Sequence, residues 1–183
     1  MNPIPELKTN RLTLRPFTLA DAPMVQKLAG EYEVARRTLN IPYPYEDGVA
    51  EKWISKHADL FAKMEQVIFA IIHRSGNYLI GAIGLSSISQ EHETGEVGYW
   101  IGKPYWNQGY CTEALAQVLR YGFEELGLNR IYARHFKSNP ASGRVLQKVH
   151  MRYEGCQRQQ FKKFGQFEDV ELYGILRHEF WSR

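Results

Sequence analysis

The chain has 183 residues, enough for one domain with a sizeable core, and its 44% hydrophobic and 23% charged residues are those of an ordinary globular protein. A net charge of +3 is too small for a dedicated nucleic-acid binder, although mild basicity suits an anionic small ligand. Cys111 and Cys156 give neither a disulfide framework nor metal spacing, no apolar run reaches the length of a membrane span, and the first residues lack the basic-then-apolar order of a secretion signal, so a cytoplasmic location is expected.

Residues 11–15 alternate as a short strand, and Thr18 and Asp21 offer capping groups for a helix running to about residue 30. The stretch 40–48, with two prolines and two tyrosines, reads as a surface loop of the kind that lines sites, and it leads into a second helical pattern from 49 to about 64. Two apolar runs, 67–73 and 78–85, flank Arg74-Ser-Gly-Asn77 and predict a hairpin; a third strand, 96–101, follows the polar turn 90–95. Ala114, Leu115, Val118, Leu119, Gly122, Phe123 and Leu126 then recur every three or four residues, the signature of one helix face, with Gly127 as the residue that ends it. A strand at 130–136 precedes a helix opened by Pro140, with Val145, Leu146 and Val149 as its apolar stripe. Segments 153–164 and 167–176 predict a hairpin turning at Gly165, finished by the aromatic tail Phe180 and Trp181.

The order β-α-α-β-β-β-α-β-α-β-β predicts a single α+β domain over 1–183, built on a mixed sheet of about seven strands with helices on its faces. Strands 96–101 and 130–136 share one connecting helix and are therefore expected to be parallel, with a right-handed crossover. The turn between that strand and helix, Trp106-Asn-Gln-Gly-Tyr-Cys-Thr112, is the most informative stretch. Gly109 lies at the helix mouth, where unpartnered N–H groups and the helix dipole favour an oxyanion; an ordinary turn with Gly chosen for its backbone angles is the competing reading.

Together with Glu96-Val-Gly-Tyr-Trp-Ile-Gly102, with Asn139-Pro-Ala-Ser142 and with the late Leu146-Gln-Lys-Val-His-Met151, this turn resembles the GNAT superfamily of acetyl-CoA-dependent N-acetyltransferases, in particular its RimJ/RimL-type branch. The likeness extends from Leu12-Thr-Leu-Arg-Pro-Phe17 to the closing hairpin and implies a GNAT-like domain with a mostly antiparallel sheet. It further implies that acetyl-CoA is the cosubstrate, its pyrophosphate held by main chain over Asn107, Gln108, Gly109, Tyr110, Cys111 and Thr112, and its pantetheine arm by Asn139 and by the backbone of Gly98, Tyr99, Trp100 and Ile101. The family's Q/R-x-x-G-x-G/A pattern falls on 106–111, so Trp106 and Cys111 depart from it; backbone binding tolerates the first, and the second is read as a small packing residue, although a thiol at a helix N-terminus can also have a lowered pKa.

Direct transfer from a thioester to an amine needs a neutral amine, a polarised carbonyl and a proton for the departing thiolate. The resemblance makes Glu96 the general base and Ser142 the acid at sulfur; a plain ion pair for Glu96, and helix capping for Asn139 and Ser142, are the structural alternatives. His150 stands where the family has glycine at a helix end. Tyr43, Tyr45, Trp53 and Trp100 are candidates for an acceptor pocket or for packing. No metal ligand set is expected. The acceptor is a primary amine, either a protein N-terminal α-amine or a small molecule, with no nucleic-acid or membrane partner; exposed aromatics in the last hairpin suggest a homodimer. The alternatives are a noncatalytic acyl-CoA sensor and a dinucleotide enzyme, the latter disfavoured by the lack of GxGxxG or GxxxxGK[ST] spacing.

Overall fold

A computed structural model describes residues 3–182, so the ends of the expected 1–183 domain, including the first two residues of the expected leaderless N-terminus, lie outside it. Among the described residues the sheet has eight strands, in spatial order β1 (Leu7–Lys8), β2 (Leu12–Arg15), β3 (Val67–His73), β4 (Tyr78–Ser89), β5 (Thr94–Ile101), β6 (Arg130–Phe136), β8 (Gln166–Leu176) and β7 (Arg152–Lys163). It exceeds the expected count by β1, whose two residues pair with Leu14 and Thr13 and are too few to show a period in sequence. All pairings are antiparallel except β5 with β6, which are parallel as their one-helix connection requires.

Alternation along the strands divides the apolar side chains between two faces. Leu12, Leu14, Phe69, Ile83, Leu85, Val97 and Ile131 pack with α5 (Tyr110–Glu124) and α6 (Pro140–Lys148). Ala70, Ile72 and Leu79 pack with α1 (Ala22–Ala29) and α3 (Val49–Ile54). Gly122 lets α5 lie close to β6: a Cβ there would stand 2.7 Å from Ile131 Cδ1.

Three sequence expectations change. The helix expected over 49 to about 64 is two, α3 and α4 (His57–Ala62), because the Ser55 hydroxyl donates back to the Lys52 carbonyl at 3.1 Å and competes with helix propagation. A one-turn helix, α2 (Tyr32–Ala35), precedes the 40–48 loop, and the aromatic tail is a short helix, α7 (Arg177–Trp181). His150 adopts φ 64°, with its N–H on the Gln147 carbonyl and the Met151 N–H on the Leu146 carbonyl, so it takes the left-handed conformation that glycine serves elsewhere. His150→Gly relieves that strain and is expected to stabilise the fold by about 0.5–1 kcal/mol, measured by urea unfolding.

His57 is buried between Phe17 and Trp53, its ring centroid 5.6 and 4.5 Å from theirs, and neither ring nitrogen has a hydrogen-bond partner. Burial pushes its imidazole down from 6.5 to about 4. Between those values the unfolded chain takes up a proton that the folded one refuses, so stability is complete above about pH 6.5 and falls as the pH drops toward 4, by about 3 kcal/mol at most. Urea unfolding at pH 7 and pH 4.5 is expected to show this slope in the native protein and a smaller one in His57→Phe.

Candidate active site

The ladder between β5 and β6 lasts three residue pairs: Thr94 with Arg130, Gly95 with Ile131, and Glu96 with Tyr132. Beyond Glu96, β5 stays paired with β4 as far as Ile101 and β6 stays paired with β8 as far as Phe136. The two strands diverge, and a cleft of about 860 Å³ opens between them. The Gly102 N–H donates to the Ile80 carbonyl at 2.9 Å. By strand alternation, Gly98 and Trp100 therefore turn their main-chain groups toward β4, while those of Tyr99 and Ile101 turn into the cleft. The expectation that Gly98 and Trp100 offer backbone groups to a ligand is not met by this register. Gly98 contributes open space instead, since a Cβ there would meet nothing within 4 Å.

The turn after β5 leads to Asn107 and Gly109, with φ of 61° and 80°, before α5 begins at Tyr110. Left-handed residues flanking Gln108 fold the main chain into a concavity at the mouth of a fifteen-residue helix, a geometry suited to phosphate oxygens. Arg11 braces it from β2's approach: Nε donates to Glu113 at 2.7 Å, Nη1 donates to the Gln108 carbonyl at 2.9 Å, and the guanidinium stands 4.5 Å from the Tyr110 ring centre. Burial alone would raise the Glu113 carboxyl, but hydrogen bonds from Thr9 and Arg11 hold it below the usual range.

Trp106 explains its own departure from the family pattern. Its indole N–H donates to the Ile101 carbonyl at 2.6 Å, and its ring packs under the Arg37 guanidinium at 5.0 Å, so it clamps the end of β5 to the turn. Cys111 faces the cleft with a thiol that burial pushes well up, opposite to the direction a reactive thiolate at a helix N-terminus requires.

Across the cleft, Asn139 begins α6 without a side-chain capping bond, and its side chain lines the cleft. The Ser142 N–H donates to the Asn139 carbonyl at 3.1 Å, which leaves the Ser142 hydroxyl for the Tyr99 hydroxyl, 2.9 Å away. Burial, and after it the neighbouring Cys111, push the Tyr99 phenol well above its ordinary value, with the Ser142 bond only partly offsetting them. The Tyr99–Ser142 contact spans 43 residues of sequence and has no local signature.

Glu96 lies at the point of divergence, held by Arg134 in a two-pronged pair, Nε to Oε1 and Nη2 to Oε2, both 2.8 Å. Its hydrogen bond to Glu96 raises the Arg134 guanidinium. Arg134 is two residues beyond Tyr132 on the same face of β6, a relation legible only once the register is known. Of the aromatic candidates, Tyr45, Trp53 and Trp100 line the cleft, whereas Tyr43 packs with Tyr32 and Phe164 outside it. The Lys163 ammonium, at the tip of the β7–β8 hairpin, donates to the Leu39 and Ile41 carbonyls at 3.1 and 2.7 Å and fixes the loop that roofs the cleft. Arg144 and Lys148 on α6 add cations to the lining. Among the described residues no group of three or more His, Cys, Asp or Glu gathers as a metal site, and no helix is long and apolar enough to cross a membrane.

Residues 11–152 match the model of the acetyltransferase (GNAT) domain. The chain is 34% identical over 174 residues to an uncharacterised N-acetyltransferase, YoaA, of Bacillus subtilis, covering 94% of this chain and 97% of that one. A shorter similarity, 30% over 98 residues and about half of each chain (54% and 55%), relates it to the ribosomal-protein-serine acetyltransferase of Escherichia coli. Among solved structures, a GNAT-family acetyltransferase from Bacillus anthracis superposes with a TM-score of 0.83 at 29% identity, over 95% of this chain and 99% of that one. With its single parallel ladder broken at Glu96 and its helix mouth at Gly109, the chain belongs to the GNAT family of acetyltransferases and is an N-acetyltransferase.

Proposed function

We propose that this N-acetyltransferase, as a member of the RimJ/RimL-type branch, moves the acetyl group of acetyl-CoA directly to a primary amine in the cleft between β5 and β6. The observation that carries the reading is the alignment, along one cleft, of a main-chain oxyanion cradle at 107–112, an inward-facing backbone at Tyr99 and a paired hydroxyl donor at Ser142. Acetyl-CoA supplies an acyl group activated as a thioester. The cradle and Asn139 hold and orient it, and Gly98 leaves room for an amine to approach.

Three residues then divide the proton work. The Tyr99 N–H, fixed by strand pairing, polarises the carbonyl without reorganisation. Glu96, held in place by the two-pronged bond from Arg134, accepts the proton that the amine sheds, directly or through water. As the C–N bond forms and the C–S bond breaks, the Ser142 hydroxyl donates to the sulfur, and the Tyr99 hydroxyl, whose raised pKa keeps it protonated, donates to Ser142. The proton that Glu96 takes from the amine equals the one delivered to sulfur, and exchange with solvent after product release returns Glu96 to carboxylate and Tyr99 to phenol.

Support for a protein N-terminus as the acceptor comes from the ribosomal-protein-serine acetyltransferase relative. A peptide α-amine, with a pKa near 8, needs less help from a base than an alkyl amine near 10.4, which agrees with a carboxylate already engaged by Arg134.

Calorimetry with acetyl-CoA is expected to show binding and with NADH none; no heat with acetyl-CoA sinks the reading. Gly109→Ala, strained at φ 80° and directed at Arg11, is expected to weaken that binding about tenfold, or about 1.4 kcal/mol, with an unchanged thermal midpoint within a few degrees. In a thiol-release assay, Ser142→Ala, Tyr99→Phe and Glu96→Gln are each expected to lower kcat by roughly 10- to 100-fold while acetyl-CoA affinity stays within about threefold. Full turnover in Glu96→Gln removes Glu96 from the chemistry.

A further inference from the structure

The two faces of the sheet give the cleft two unlike chambers. Tyr99, Cys111 and Ser142 belong to the face of α5 and α6; Glu96, Gly98 and Trp100, alternating with Tyr99 on the same strand, belong to the face of α1 and α3. The second chamber is walled by Val25, Ala29, Tyr45, Trp53, Ile68 and Trp100. The Trp53 ring is held edge-on by Phe17 at 5.0 Å and by His57 at 4.5 Å, so it is a fixed wall. His57 is neutral at physiological pH, which keeps charge out of that wall.

The charges facing the cleft are as telling. Its lining includes the cations Arg37, Arg134 and, on α6, Arg144 and Lys148, and among the described residues a single carboxylate, Glu96, each of whose oxygens accepts one hydrogen bond from Arg134. A second ammonium group brought out of water loses its hydration and is held most strongly by a carboxylate. Among the described residues no carboxylate besides Glu96 faces the chamber.

Resting on the transferase reading above, we infer that the acceptor is a monoamine carried on a compact apolar or aromatic body, with no second cationic centre, and that Trp53 and Trp100 select it. Polyamines and aminoglycosides, which bring further cationic centres, do not fit it.

The test uses the full chain in two assays. Thiol release with acetyl-CoA is measured for phenethylamine, a short peptide with an apolar N-terminal residue, spermidine and an aminoglycoside; calorimetry of the same amines against the CoA-loaded protein reads acceptor binding without chemistry. The expected result is a kcat/KM and an affinity at least tenfold higher for the monoamines than for the polycations. Trp53→Ala is expected to raise KM for phenethylamine about tenfold with kcat within threefold, and Trp53→Phe, which keeps the packing against Phe17 and His57, to restore most of it. Equal or better use of spermidine overturns the acceptor inference and leaves the transferase standing. Tight CoA binding with no thiol release from any amine overturns the transferase reading, in which case monoamine preference in calorimetry still upholds the chamber's selectivity and its lack overturns it.

Discussion

A parallel ladder persists only while two strands keep step, and between β5 and β6 it stops at Glu96 and Tyr132. Each strand remains anchored on its outer side, β5 to β4 and β6 to β8, so the divergence is held open from both flanks by antiparallel pairing. The cleft, the inward turn of the Tyr99 backbone and the place of Glu96 at its apex all follow. Both helices that continue these strands, α5 and α6, begin beside the opening, which brings Gly109 and Asn139 to the same rim.

Around that opening the polar groups are secured from a distance. Arg11 and Glu113 tie the start of β2 to the first turn of α5, Trp106 ties the turn back to the end of β5, and Lys163 ties the last hairpin to the loop between α2 and α3. Lys163 is buried against two carbonyls without a carboxylate, and desolvation lowers its pKa. A cation spent on backbone carbonyls is a structural investment that makes sense where a roof must stay in place.

Much of this was legible in the residues. The strand order, the parallel pair, the helix starting after Gly109 and the Pro140 start follow from periodicity and turn chemistry, which are local. The length of the β5–β6 ladder was not legible, because Val97 and Ile101 continue the same apolar alternation after pairing has ended. The Arg134 hold on Glu96, the Tyr99–Ser142 contact and the Lys163 clasp join residues 38, 43 and more than 120 positions apart, and nothing in a single sequence marks them. Burial of His57 was equally hidden: a polar residue in a helical pattern gives no sign that both its nitrogens will lack partners. Trp106 ran the other way, a mismatch to the family pattern that became sensible once its indole was seen on Ile101.

Alternation on a single strand places Tyr99 on one side of the sheet and Gly98 and Trp100 on the other. Side chains that shape the acceptor's surroundings on α1, α3 and the roofing loop are thus separated by the sheet from those around Cys111 and Ser142. Changes on one side that leave Glu96, Tyr99 and Ser142 untouched combine additively with such changes on the other, in the manner of sites that share no partner. A lineage can then redraw one surface by ordinary drift while the other is conserved intact, and a designer can do the same, one face at a time.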